Sequence, residues 1–138
     1  MSLAIKEALR AYEEDEVPIG CVIVAGDQVI AKGYNQTQKL NDATAHAEII
    51  ALTSAFAYLN TRILKDCTLY VTIEPCAMCG GAIRWAQLKS IVYGAKEEKC
   101  GFSLYEPSIL HPKTEIISGI EEEACAKLIQ QFFVEKRR

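Results

Sequence analysis

Thr68-Leu69-Tyr70-Val71-Thr72-Ile73-Glu74-Pro75-Cys76-Ala77-Met78-Cys79 is the run on which the fold turns. Residues 68–73 are rich in β-branched and aromatic side chains and read as a strand. Pro75 follows directly, and proline suits the start of a helix, where its missing N–H costs nothing. A helix is therefore predicted to carry Cys76 and Cys79 in its first turn and Ile83, Ala86 and Leu88 further on. The two-residue spacing puts both sulfurs on one turn, converging on one point.

Residues 90–93 form a further buried strand, so the centre of the chain is a strand–helix–strand unit, which implies parallel pairing with helices on both faces. Upstream, Ile49, Leu52, Phe56 and Leu59 line one face of a helix that Asp42 or Thr44 can cap and Asn60 can end. His46 and Glu48 fall in its expected first turn. Before it lie a polar loop at 35–43 and two strands, 19–24 and 29–34, joined by Gly26-Asp27. Ile5, Ala8, Leu9 and Tyr12 recur at helical spacing, so the chain opens on an amphipathic helix that Val17-Pro18 ends. Downstream, residues 96–112 are long and irregular and 114–117 are a short strand. Cys125, Leu128, Ile129, Phe132 and Phe133 stripe a last helix with Phe132 towards the core and Phe133 offset. Its acidic start, Glu121-Glu122-Glu123, suits the positive end of the helix dipole. The order α-β-β-α-β-α-β-β-α predicts a three-layer α/β/α sandwich with a mixed sheet of about five strands, and residues 1–138 read as a single domain.

Two motifs then face each other, His46-Ala47-Glu48 and Pro75-Cys76-Ala77-Met78-Cys79. His46, Cys76 and Cys79 are three good zinc ligands, and three protein ligands leave a tetrahedral ion one open position, as catalytic sites do. Glu48 stands beside the first ligand without being one and can act as a general acid and base. A closed structural site would instead draw a fourth ligand from Cys67, Cys100 or His111. Cys21, Cys67 and Cys125 sit in apolar surroundings and read as small core residues.

Composition narrows the classes. Half of the 138 residues are apolar and 24% are charged, the balance of a soluble protein. No run approaches the roughly 20 apolar residues of a membrane span. The N-terminus lacks the apolar centre of a signal peptide, so a cytoplasmic protein is expected, and six cysteines there favour metal binding over disulfides. A net charge of −3 gives no bulk attraction to nucleic acid. The one run of like positive charge is Lys136-Arg137-Arg138, either a helix end or a phosphate contact.

His-x-Glu followed by Pro-Cys-x-x-Cys is the known signature of the zinc nucleobase deaminases. The chain is identified as a member of the cytidine/deoxycytidylate deaminase superfamily, and within it most resembles the bacterial tRNA-specific adenosine deaminases. The resemblance covers nearly the whole chain. It rests on Glu16-Val17-Pro18-Ile19-Gly20, Gly33-Tyr34-Asn35, Thr44-Ala45-His46-Ala47-Glu48-Ile49, the run from Thr68 to Cys79 with Gly81-Ala82, and Phe132-Phe133 ahead of Arg137. It departs from the family pattern at Ala43, at Val134 and in a short 99–114 loop. The resemblance implies one Zn2+ per chain, hydrolysis of adenosine to inosine at the wobble position of a tRNA anticodon loop, and a homodimer that binds RNA across its boundary. It also implies that Asn35 hydrogen-bonds the flipped base and that Ala47, through its backbone N–H, and Pro75 help wall the pocket. Taken alone, Asn35 is equally a turn residue after a strand. Guanine and cytosine deaminases share both zinc motifs, and an inactive deaminase fold that binds RNA or a partner subunit is a further alternative. Glu48, which no structural zinc requires, favours an enzyme.

Overall fold

The computed structural model describes residues 1–137. The elements are α1 (Ser2–Glu13), β1 (Gly20–Ala25), β2 (Gln28–Tyr34), α2 (Ala47–Leu59), β3 (Cys67–Ile73), α3 (Ala77–Ala86), β4 (Ser90–Ala95), a 3₁₀ turn (Phe102–Leu104), β5 (Glu115–Ile117) and α4 (Glu122–Lys136). They follow the predicted order, with boundaries moved by a residue or two.

The strands make one five-stranded sheet in the order β2-β1-β3-β4-β5. Gly26 and Asp27 turn β1 into β2, with Ala25 opposite Gln28. The β1 strand is antiparallel to both its neighbours, whereas β3, β4 and β5 run parallel. Parallel neighbours need a crossover, and α3 supplies the one between β3 and β4. The sheet is therefore mixed, as expected. The main core joins Cys21, Ile23, Leu69, Val71 and Ile91 of the strands to Ala51, Leu52, Ala55 and Ile83 of α2 and α3. A second cluster gathers Ile73, Ala95 and Cys125 with Met1, Ile5 and Ile129, drawing in α1 and α4. This gives the three layers. Cys21, Cys67 and Cys125 are buried free thiols, as predicted.

Two expectations need correction. The inward face of α1 centres on Ala4, Glu7, Ala8 and Ala11, with Ile5 and Tyr12 half-buried at its margins and Leu9, of the expected stripe, outside it. Three alanines, all fully buried, let this helix lie close on the sheet, and Leu9 is left 43% exposed. The third helix, expected to run through Leu88, ends at Ala86; Ile83, Ala86 and Leu88 are all interior, while Trp85, 82% exposed, and Met78 are the large apolar side chains α3 leaves in the open.

Candidate active site

The site forms where β3 ends and two helices begin. Ligands of α/β proteins gather at the carboxyl ends of parallel strands, and the chain passes from Ile73 at the end of β3 straight to Cys76. Neither His46 nor Cys76 lies in the first turn of a helix, as the sequence suggested. Each is the N-cap of its helix, with extended backbone: φ −73°, ψ 155° at His46 and φ −71°, ψ 174° at Cys76. An N-cap side chain swings across the open end of the helix instead of along its side. The structure uses that geometry to aim both residues at one point. Asp42 and Thr44 consequently do not cap α2. Asp42 instead accepts hydrogen bonds from the amide and hydroxyl of Thr44, both at 2.8 Å, and tightens the loop before His46. Pro75 likewise precedes the N-cap, is buried, and accepts a hydrogen bond from the Phe102 amide at 2.9 Å.

The position of α2 depends on Gly33 in β2. A Cβ there would collide with the Ala47 carbonyl and lie 2.9 Å from the Ala51 amide nitrogen. The helix start that carries His46 and Glu48 can rest against the strand only because residue 33 has no side chain.

His46 Nδ1 lies 3.7 Å from Cys76 Sγ and 3.6 Å from Cys79 Sγ, and the three donor atoms fall within 4.8 Å of one another. Bonds of about 2.3 Å to sulfur and 2.0–2.1 Å to nitrogen at a tetrahedral angle put sulfur and nitrogen about 3.5 Å apart. The donor set therefore fits zinc in both chemistry and spacing. Cys67, Cys100 and His111 do not join the group among the described residues.

The electrostatics suit an anionic sulfur pair. A hydrogen bond between the two thiols holds Cys76 down at about 4 and raises Cys79, so that one negative charge is shared. Contact with Cys76 raises the His46 imidazole. The helix N-termini at Cys76 and His46 favour negative charge as well.

Glu48, at the second position of α2, is only 4% exposed. Burial pushes its carboxyl up to about 7, against the opposing pull of its own backbone amide, His46 and the Cys79 thiol. A carboxyl in that range can both take and give a proton near neutral pH. Asn35 continues β2, its amide donating to the Ile19 carbonyl at 3.1 Å. It is 7% exposed, and its Oδ1 has no hydrogen-bond partner among the described residues. A buried acceptor left open costs free energy unless something fills it. Ala47 is fully buried at the start of α2.

Two buried carboxylates escaped the sequence reading. Glu16 accepts from the Gln38 and Lys39 amides at 3.1 and 2.7 Å and pins the 36–44 loop. Glu74 accepts from the Glu97 and Ser103 amides at 3.2 and 2.9 Å. Both lie in runs that carry the family resemblance, Glu16-Val17-Pro18 and Ile73-Glu74-Pro75, but nothing in those runs names the loop amides they bind.

Beside α4, Lys99, Ile129, Gln130, Phe133, Val134 and Arg137 line an open cleft of about 390 Å³. Phe132 is buried and Phe133 is exposed, as predicted. Lys136 is turned away to Asp15, at 2.5 Å. Arg138 lies outside the described residues.

The chain matches the cytidine and deoxycytidylate deaminase zinc-binding region over residues 1–95. It is 42% identical over 142 residues to the tRNA-specific adenosine deaminase of Agrobacterium fabrum, an alignment covering 99% of this chain and 93% of that protein. Against the tRNA-specific adenosine deaminase of Bacillus subtilis it is 38% identical over 143 residues, covering 100% and 89%. A solved tRNA:A34 deaminase is similar at a TM-score of 0.87 and 41% identity, covering 93% of this chain and 96% of that one. Together with the mixed sheet and the His/Cys/Cys cluster beyond the end of its central strand, these likenesses show that the chain belongs to the zinc-dependent cytidine and deoxycytidylate deaminase family, on the branch of the tRNA-specific adenosine deaminases.

Proposed function

We propose that this protein, acting as a single deaminase domain over residues 1–138, hydrolyses the 6-amino group of the wobble adenosine in a tRNA anticodon loop to give inosine and ammonia. The observation that carries this reading is the buried Glu48 set beside the His46, Cys76 and Cys79 cluster in a chain about 40% identical to tRNA-specific adenosine deaminases.

His46, Cys76 and Cys79 are assigned as the ligands of one zinc ion. Bound there, zinc supplies Lewis-acid activation of a water molecule. Glu48 takes a proton from the attacking water, passes it to a ring nitrogen of the base, and protonates the departing amine. The C6–O bond forms first, as one proton of the water goes to the ring nitrogen. The remaining hydroxyl proton then goes through Glu48 to the amine, and the C6–N bond breaks to release ammonia and leave the C6 carbonyl of inosine. Asn35 Oδ1, buried and unpartnered, accepts a hydrogen bond from the base and orients it, while the Ala47 backbone and Pro75 wall the pocket. An anticodon-loop base is already free of a duplex, so extruding it costs little.

The cleft beside α4 supports an RNA contact. It pairs an exposed aromatic, Phe133, with the cations Lys99 and Arg137, in the manner of surfaces that stack a base and hold a phosphate. Lys136 is engaged with Asp15, so the positive charge assigned to RNA is that of Lys99 and Arg137 rather than of the whole terminal run. Exposed Trp85 and Met78 on α3 support a homodimer built through that helix. The cytoplasm is the compartment we assign, a reading that a tRNA substrate supports.

The test is to offer zinc-loaded protein an anticodon stem-loop alongside adenine, guanine, cytosine and their nucleosides. Inosine should form in the stem-loop, with the free compounds untouched. Conversion of guanine or cytosine with the RNA ignored would replace this reading by that of a free-base deaminase.

A further inference from the structure

We propose that Glu74 is a positioning residue of this deaminase, which fixes the 97–103 segment against residues 75–77 and thereby sets where the Cys76 and Cys79 sulfurs stand. The proposal rests on the assignment of His46, Cys76 and Cys79 as zinc ligands.

Glu74 is 2% exposed, and among the described residues no lysine, arginine or histidine forms an ion pair with it. A buried carboxylate without a cation is costly unless hydrogen bonds satisfy it. Here both oxygens are used: Oε1 accepts from the Glu97 amide at 3.2 Å and Oε2 from the Ser103 amide at 2.9 Å. The carboxylate thus clasps the two ends of one loop. Its own backbone is fixed too, because the Glu74 amide donates to the Ala95 carbonyl at 2.8 Å, in line with β4.

What the loop does explains the expense. Gly101 forms an antiparallel bridge with Cys76. The Ala77 amide donates to the Cys100 carbonyl at 3.1 Å, and the Phe102 amide to the Pro75 carbonyl at 2.9 Å. The first amides of a helix lack intrahelical partners, and the loop satisfies that of Ala77. The loop therefore holds the N-terminus of α3, where one sulfur is the N-cap and the other lies one turn on. Gly101 gives independent support. A Cβ on it would lie 2.5 Å from Glu74 Oε2 and 2.5 Å from the Glu97 carbonyl oxygen. Loop and carboxylate close on each other only because residue 101 is glycine.

Glu16 is the matched comparison. It is 1% exposed and also accepts from two loop amides, but its loop makes no hydrogen bond to residues 75–79 among those described. The experiment uses the full chain loaded with cobalt(II), whose thiolate charge-transfer band reports sulfur geometry. It measures that band, the rate of metal transfer to a chromophoric chelator, and the melting temperature for Glu74→Gln, Gly101→Ala and Glu16→Gln. Glu74→Gln keeps the volume but turns an amide NH2 towards one of the two donors. Residues that orient metal ligands typically matter about 10–100-fold in metal affinity. Glu74→Gln and Gly101→Ala should each speed metal release at least tenfold and shift the band, whereas Glu16→Gln, whose loop leads to His46 and not to the sulfurs, should melt lower with the thiolate band unshifted. If Glu74→Gln does not fold, Gly101→Ala alone decides. Wild-type release from both variants, or an equal shift of the thiolate band in Glu16→Gln, overturns the proposal. Failure of the wild-type chain to take up cobalt at all overturns the ligand assignment along with it.

Discussion

Glu48 and Asn35 carry the chemistry assigned to single residues. Glu48→Ala should lower kcat by at least ~10²-fold, towards ~10⁴-fold, because a positioned general acid and base contributes on that scale. Zinc should stay at one per chain by metal analysis, and the fold should hold by circular dichroism; loss of the metal would show Glu48 to be a ligand instead. Asn35→Ala removes the acceptor that has no partner among the described residues. Losing one hydrogen bond to a buried base costs about 1–3 kcal/mol, or roughly 10–100-fold in kcat/KM. Its effect on stability should be near zero, since nothing inside the protein is unpaired by it, and thermal melting checks this. Glu48 was legible in the sequence because the spacing of histidine, carboxylate and cysteines is short-range and chemically unusual; Asn35 stood out only through the resemblance carried by Gly33-Tyr34-Asn35. Glu16 and Glu74 were not. Their partners are backbone amides from distant loops, and a backbone amide leaves no trace in residue identity.

At the scale of elements, the β-strands and α2 to α4 followed from apolar patterning, while the helix starts and the inner face of α1 did not. Hydrophobic spacing favoured Ile5, Leu9 and Tyr12, but close approach to the sheet selected alanines. The N-caps were misread because Asp42 and Thr44 are better cap formers than histidine. The structure gives up that capping to point His46 inward. Gly33 shows how tight the result is. Gly33→Ala should push α2 off β2 and cost about 1–3 kcal/mol, as overpacking does. Chemical denaturation measures that loss. Because His46 is displaced with the helix, metal release should accelerate as well; a fully stable variant that keeps its metal would show that α2 has room to spare.

For the whole molecule, the element order was enough to predict a mixed sheet in three layers, but not the placement of β1 between β2 and β3, which depends on pairing between distant segments. Two surface predictions belong here. Trp85→Glu should convert a dimer into a monomer, seen by sedimentation at micromolar concentration, because it sets a charge on the most exposed large apolar side chain of α3. Arg137→Ala should weaken binding of an anticodon stem-loop and reduce the slope of log affinity against log salt by about one. Lys136→Ala should change that slope far less, since its ammonium is held by Asp15.

The three donors come from two places in the chain: His46 lies 30 residues before Cys76 and 33 before Cys79. Closing such a loop costs entropy that only later contacts return. Between the two halves run α2 and β3, and β3 must register against β1 before imidazole and thiolates can meet. An unfolded or half-folded chain therefore offers a metal only a pair of neighbouring cysteines. Full coordination is a late event, and the colour of a cobalt-loaded chain is a clock for the completion of its tertiary structure, silent until the sheet has found its order.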